Sequence, residues 1–406
     1  TPLGEAYSVT GAARAIDGKI LIGNSGAEFG VRGYVTAYDA ETGEQIWRTY
    51  TVPGDPSDGQ ETGWLAEAEE TWSGEWWQAG GGGTVWDAIV YDPELDLIYL
   101  GVGNGSPWYS RLRSPGGGDN LFLSSILAIR ASDGEYVWHF QTTPGDNWDY
   151  TATQPLMLAE LEIGGVERRV IMQAPKNGFF YVVDRETGEF ISGEAFANVT
   201  WATGLTPEGR PIENPVAREL AGGAHVAPGP AGSHSWHPMS YNPQTGLVYF
   251  SVMEHSVVHS PDDDWAYDPA WGNIGADWAY DGPTAGEEMP VAGRTVAWDP
   301  VAQEEVWRAE HPMALSGGTL STAAGLVFQG RGDGLFRAYR ASDGEVLWEF
   351  QNETAVVAGP VSYAVDGVQY IAVVAGMGGP EFLFNGPLAE GSRTGPGRLL
   401  AFRLDG

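Results

Sequence analysis

Ala37–Trp47 reads AYDAETGEQIW, and the chain returns to this phrase four more times. Ala128–Trp138 is AIRASDGEYVW, Val182–Ser192 is VVDRETGEFIS, Ala297–Trp307 is AWDPVAQEEVW and Ala338–Trp348 is AYRASDGEVLW. A truncated copy, AFRLDG, stands at Ala401–Gly406. Gly43, Gly134, Gly188 and Gly344 hold the same place in four copies, and Gln303 takes it in the fifth. Residues such as Tyr34–Tyr38 are β-rich, and Asp-x-x-Thr-Gly is a tight turn whose Gly accepts positive φ. A second strand follows and ends in Trp or a substitute. The phrase is therefore a hairpin corner and not a helix.

The copies start 91, 54, 115 and 41 residues apart. The long gaps are close to two short ones, which predicts degenerate copies between them. YDPELDLIYLG (Tyr91–Gly101) and YNPQTGLVYFS (Tyr241–Ser251) are candidate strand pairs for those hidden units. A period of roughly 40–50 residues built from short strands predicts an all-β chain, a β-propeller. The 406 residues can be absorbed by one such domain, residues 1–406.

A formal charge of -33 argues against nucleic acid as a partner. There is no cysteine, which excludes structural disulfides, thiolate metal sites and CxxCH-attached haem within this sequence. No apolar run approaches the roughly 18 residues needed to span a bilayer. No signal peptide is visible and the first residue is not Met, so the sequence reads as processed, trimmed or a fragment.

Several stretches carry chemistry-bearing residues. Ser25–Gly33 (SGAEFGVRG) sets Glu28 among glycines, where a plain reading pairs it with Arg32. Residues 52–80 are a loop-rich insertion with four tryptophans, running into Gly80–Gly83 and Thr84-Val-Trp86; Trp86 alone reads as core. Asn104-Gly-Ser-Pro-Trp108 is a turn that aims an amide oxygen. QTTPGDNWDY (Gln141–Tyr150) places Asp146 and Asp149 around Trp148, with turn capping as the plain reading. Lys176, in QAPKNGFF, is one of only two lysines and alone reads as solvated surface. Asp262–Asp281 reads as an acidic, aromatic surface excursion. His234/His237 and His255/His259 lack a further ligand at matching spacing, so zinc is not expected.

In this order the phrases GNSGAEFGVRGYVTAYDAETG, GGGGTVWDAIVYDPELDLIYLGVGNGSPW, SPGGGDNLFLSSI, TTPGDNWDYTATQ and QAPKNGFFYVVDR resemble the pyrroloquinoline quinone (PQQ) dependent alcohol dehydrogenases, the ethanol type more than the methanol type. The resemblance covers nearly the whole chain. It implies an eight-bladed quinoprotein propeller with W-motif repeats, of which six or seven blades are expected here, with an exposed gap or edge. By matched position it implies Glu28 and Asn104 as Ca²⁺ ligands and Asp149 as catalytic base. It implies Trp86 flat against the quinone, Thr10, Ser25, Gly26, Ala27 and Thr84 around the PQQ carboxylates and carbonyls, and Lys176 at the quinone oxygens.

The residue types suit the roles. Carboxylate and amide oxygens are what Ca²⁺ takes, a cation polarises a carbonyl, and Asp149 would accept the alcohol proton. The implied activity is oxidation of small primary alcohols to aldehydes, with hydride passed to PQQ and electrons to an external soluble cytochrome c, in the periplasm. Lanthanide-using relatives carry a further Asp two residues after the base, where an extended chain returns to the same face. Here that residue is Thr151, so Ca²⁺ is expected. Family members also have a part N-terminal to the segment matching Thr1, bearing an adjacent-cysteine disulfide and further PQQ contacts, which this sequence lacks. A non-catalytic propeller, or a catalytically incomplete fragment, is the alternative reading.

Overall fold

Each copy of the phrase closes on itself: Ala37 faces Trp47 across a hairpin, and Ala128–Trp138, Val182–Ser192, Ala297–Trp307 and Ala338–Trp348 are paired in the same way. A computed structural model describes residues 6–220, 223–269, 272–279, 291–378 and 386–403. In every copy the register slips by one residue just after this pair, leaving Ile46 of the first copy without a partner. The turn is held by the Asp. In the first copy Asp39 accepts the main-chain N–H groups of Glu41 and Thr42, and Gly43 stands at φ 74°.

These hairpins are the outer halves of antiparallel four-stranded blades. Blade 1 holds Arg14–Ile16, Lys19–Gly23, Tyr34–Asp39 and Gln45–Tyr50. Blade 2 holds Ile89–Asp92, Leu97–Gly101, Ser125–Arg130 and Tyr136–Gln141. Blade 3 runs through Met157–Ile163, Val166–Gln173, Phe179–Asp184 and Phe190–Ala195. Blade 4 is Ser240–Asn242, Leu247–Glu254, Ala292–Asp299 and Glu304–His311. Blade 5 is Ser316–Ser321, Leu326–Arg331, Leu335–Arg340 and Val346–Gln351. Blade 6 has three strands among the described residues, Val361–Val365, Val368–Ala375 and Arg398–Arg403. The all-β propeller expectation holds, with six blades among the described residues.

The expected hidden copies are absent from the described residues. Tyr91–Gly101 and Tyr241–Ser251 are the inner hairpins of blades 2 and 4, whose outer hairpins carry the copies at 128 and 297. The long gaps are filled by insertions. One is the segment from 52 to 88, with helix Trp64–Glu69. Another lies between blades 3 and 4, with a two-stranded pair (Ala202–Leu205, Pro211–Glu213) and a three-stranded sheet (Ala224–Val226, Val257–Pro261, Ala276–Ala279). Spacing alone cannot separate an extra blade from a long loop.

Because alternate side chains point to opposite faces of a strand, each blade packs both ways. Leu21, Val35 and Trp47 of blade 1 meet Ile98, Leu100 and Leu127 of blade 2. Tyr99 and Trp138 meet Ile171 and Tyr181 of blade 3. The seams continue through Phe180 and Phe250, then Trp307 and Tyr339, then Phe336 and Ile371. The repeat Trp sits on the Gly of the next blade's turn. A Cβ on Gly134, Gly188 or Gly344 would press on Trp47, Trp138 or Trp307 at 2.7 Å or closer. The far face of blade 6 has no such neighbour among the described residues: Val361, Val365 and Leu399 are exposed. This matches the expected open edge.

Candidate active site

The loop after Lys19–Gly23 turns on Gly26 at φ 102°, a conformation that favours glycine, and lifts Glu28 in a single turn over Ala27–Phe29. The Glu28 carboxylate does not meet Arg32, which pairs with Glu61 at 2.7 Å. Instead it accepts Asn104 Nδ2 at 2.8 Å and Trp108 Nε1 at 3.0 Å. One loop thus supplies a carboxylate and another an amide to one point. Thr10 and Ser25 share a hydroxyl hydrogen bond of 2.6 Å, and Ala27 is buried behind them.

The run Gly80–Gly83 is locked, although glycine alone is permissive. All four residues have positive φ; Gly82 O accepts Gly33 N–H and Gly83 N–H donates to Asn104 O, both at 2.8 Å. Thr84 is buried and its carbonyl accepts Gly103 N–H at 3.0 Å. Trp86 is half-buried, outside the core clusters, with its ring edge-on to Trp236 at 6.4 Å. The plain core reading of Trp86 therefore gives way to a partly exposed ring.

Asp149 stands at φ 64°, the left-handed region, which costs a non-glycine residue about 1 kcal/mol or more. Asp146 holds the turn: its Oδ1 accepts the N–H groups of Trp148 and Tyr150, both at 3.1 Å, on either side of Asp149. Asp146 is thus the capping residue and Asp149 is not. Asp149 Oδ2 accepts Lys176 Nζ at 2.7 Å, and both side chains are largely buried. Lys176 is therefore no surface lysine. Burial pushes the Asp149 carboxyl up to about 8, Lys176 pulls against that shift, and the Glu28 charge adds to it. The left-handed backbone at Asp149 also breaks the extended step assumed between 149 and 151. Thr151 is buried and bonded to the side chains of Thr153 and Gln154.

The acidic excursion is more than surface where it is described. Asn273 donates its N–H at 2.5 Å and its side-chain amide at 3.1 Å to Glu28 O. Trp108 N–H donates to Ile274 O at 2.7 Å, and Trp278 stacks on Trp108 at 5.1 Å. Residues 270–271 and 280–281 of that stretch lie outside the described residues. The histidine pairs are buried, and burial holds His234 and His255 down at about 4. Trp108 and Asn273 had no assigned role from sequence. Trp108 was legible as the end of the Asn-Gly-Ser-Pro-Trp turn, whereas Asn273 had no signal beyond its acidic surroundings.

The donors that converge are oxygen-bearing and hard, Glu28 carboxylate and the Asn104 amide, with no thiolate available. They fit an oxygen-seeking cation.

A model of the PQQ-type glucose, ethanol and alcohol dehydrogenase β-propeller domain matches residues 3–200 and 251–371. The chain is 52% identical to quinohemoprotein alcohol dehydrogenase ADH IIB of Pseudomonas putida over 98% of this chain and 58% of that protein. It is 45% identical to 1-butanol dehydrogenase (cytochrome c) of Thauera butanivorans over 98% and 58%. The crystal structure of quinohemoprotein alcohol dehydrogenase from Comamonas testosteroni superposes with a TM-score of 0.93 at 47% identity, covering 99% of this chain and 61% of that one. A europium-containing methanol dehydrogenase gives 0.87 at 30%, covering 98% and 74%. The chain thus spans 58% of the length of the first two relatives.

Proposed function

Since the chain belongs to the PQQ-type glucose, ethanol and alcohol dehydrogenase β-propeller family, we propose that it is the propeller of a PQQ- and Ca²⁺-dependent alcohol dehydrogenase, one domain over residues 1–406. It oxidises small primary alcohols to aldehydes and passes electrons to an external cytochrome c. The observation that carries this reading is the pairing of Glu28 with Asn104 beside the buried Asp149–Lys176 pair.

When bound, PQQ supplies the two-electron acceptor and the cation supplies the charge that polarises it. Glu28 and Asn104 would hold the cation; Trp108 and Asn273 hold Glu28. Asp149 accepts the alcohol's hydroxyl proton. Burial raises the proton affinity of Asp149 in the metal-free protein, while Lys176 at 2.7 Å favours the charged, proton-accepting carboxylate, as a cation held at Glu28 would. Thr10, Ser25, Gly26, Ala27 and Thr84 would hold the cofactor, and Trp86 would offer its ring to the quinone. Ca²⁺ is assigned because Glu28 and Asn104 offer hard oxygens and position 151 carries threonine and not a further carboxylate. The cytochrome acceptor draws support from the similarity to the 1-butanol dehydrogenase (cytochrome c) of Thauera butanivorans. The periplasmic location rests on the family alone.

The test is calorimetric titration of PQQ into the metal-free protein with and without Ca²⁺, followed by alcohol-dependent reduction of cytochrome c. Calcium-dependent one-to-one binding and turnover are expected. A folded protein that binds no PQQ in the presence of Ca²⁺ overturns the reading.

A further inference from the structure

Arg113 is fully buried, and its guanidinium joins the two loops of the site. It sits at the end of a short helix, Ser110–Arg113, in the insertion of blade 2. Its Nη1 donates to Pro107 O at 2.6 Å and Trp108 O at 2.7 Å. Its Nη2 donates to Asp146 O at 2.7 Å, and its Nε to Asn120 Oδ1 at 3.1 Å. Gly105, next to Asn104, lies flat on the guanidinium: a Cβ there would come within 2.5 Å of it. The same helix starts with Ser110 N–H on Asn147 Oδ1 at 2.8 Å.

Burying a guanidinium is costly unless its donors are matched. Here three of the four acceptors are main-chain carbonyls, all on the segments that carry Asn104, Trp108 and Asp149. Asp146 in turn caps both sides of the left-handed Asp149. A strained residue persists only where its surroundings over-determine it. Burial draws the guanidinium down to about 10, so it stays charged at neutral pH, and its planar fork cannot be copied by an ammonium.

We propose that Arg113 is a positioning residue. It clamps the Asn104–Trp108 turn to the Asp146–Asp149 turn and so fixes Asp149 relative to Glu28 and Asn104. This rests on the functional reading above only for its catalytic consequence; the clamp itself is a property of the chain.

The test is Arg113→Lys, which keeps the charge and loses the fork, alongside Arg113→Met, in the full chain loaded with PQQ and Ca²⁺. Expected is a fall in kcat per bound PQQ of about tenfold to 100-fold, as small misplacements produce, with KM nearly unchanged. Amide hydrogen exchange should quicken in residues 104–110 and 146–150 together, and not in blades 4 and 5. A residue of merely structural worth would lower the folded or loaded fraction and leave kcat per bound PQQ alone. Wild-type kcat per bound PQQ in Arg113→Lys, or exchange unchanged in either turn, overturns the proposal. If the Met variant does not fold, the Lys variant decides alone. If the loaded wild type oxidises no alcohol, the functional reading fails and the exchange readout still decides the clamp.

Discussion

Gln303 reaches across the seam between blades 3 and 4 and donates its side-chain amide to Ser192 Oγ at 3.1 Å. Ser192 stands where other copies of the repeat carry Trp, and Gln303 stands where the others carry Gly. The two exceptions are therefore one event. At the seams marked by Trp47, Trp138 and Trp307 the indole needs the facing turn to have no side chain. At this seam the small Ser leaves room, and the Gln fills it. Gln303 keeps the positive φ of the turn, 56°, close to the 74–77° of the glycines it replaces.

Ser192→Trp alone should destabilise the protein by about 1–3 kcal/mol through overpacking. Gln303→Gly alone should lose the bond and the filler. Combined, they should recover much of the loss, with a coupling of about 1 kcal/mol or more in a double-mutant cycle read by urea unfolding. Additive losses would mean the seam does not work as a lock.

Removing the Glu28 charge should weaken the cation site. Glu28→Gln should weaken Ca²⁺ by more than the roughly 10–100-fold typical of supporting residues. Trp108→Phe, which keeps the ring and loses the N–H to Glu28, should fall within that range. Calcium calorimetry on both variants checks the order. Equal affinities in Glu28→Gln and wild type would remove Glu28 from the cation site.

How much of this was legible follows from distance along the chain. The repeat was readable because its pairs are ten residues apart, so one hairpin contains its own partner, turn and register. The blade count between copies was not, because the inner hairpin Tyr91–Gly101 has the same local signature as a degenerate copy. The plain reading of Glu28 alone pairs it with Arg32 on nearness in sequence; its partners lie at 104, 108 and 273, and Arg32 finds Glu61. Lys176 was similar: nothing near it in sequence shows that Gly232 packs onto its stem and buries it. Arg113 carried no local signal, since its acceptors are mostly main-chain carbonyls, which any residue can supply.

The pH dependence has a definite sign. An unfolded Asp titrates near pH ~3.9, while Asp149 in the folded, metal-free protein titrates at about 8. Between those values the folded state holds a proton that the unfolded state releases. This contribution is thus full below the unfolded value and lost as pH rises through the folded one. Asp87, lifted by burial to about 6 beside Arg14 at 3.7 Å, acts in the same sense over the lower part of the window. Unfolding free energy of metal-free protein should therefore fall with pH across this range, and the slope should flatten in Asp149→Asn. The slope is the diagnostic, since the variant also leaves Lys176 without its carboxylate. An unchanged slope would count against the raised Asp149.

The choice of metal can be pressed at Thr151. Its hydroxyl is buried and bonded within a small cluster of Thr153 and Gln154, with no cation side chain among these partners. Thr151→Asp would place a carboxylate there without a compensating charge, and an unpaired buried charge costs several kcal/mol. The metal-free variant should therefore melt well below wild type. If position 151 faces the cation held by Glu28 and Asn104, metal should restore the loss, and La³⁺ should restore more of it than Ca²⁺, because a trivalent ion gains more from each added carboxylate. Wild type should show no such preference. The check is thermal unfolding of both proteins with each metal. Equal recovery by the two ions, or none, would mean that the side chain at 151 points away from the cation and that the Ca²⁺ assignment must stand on direct titration.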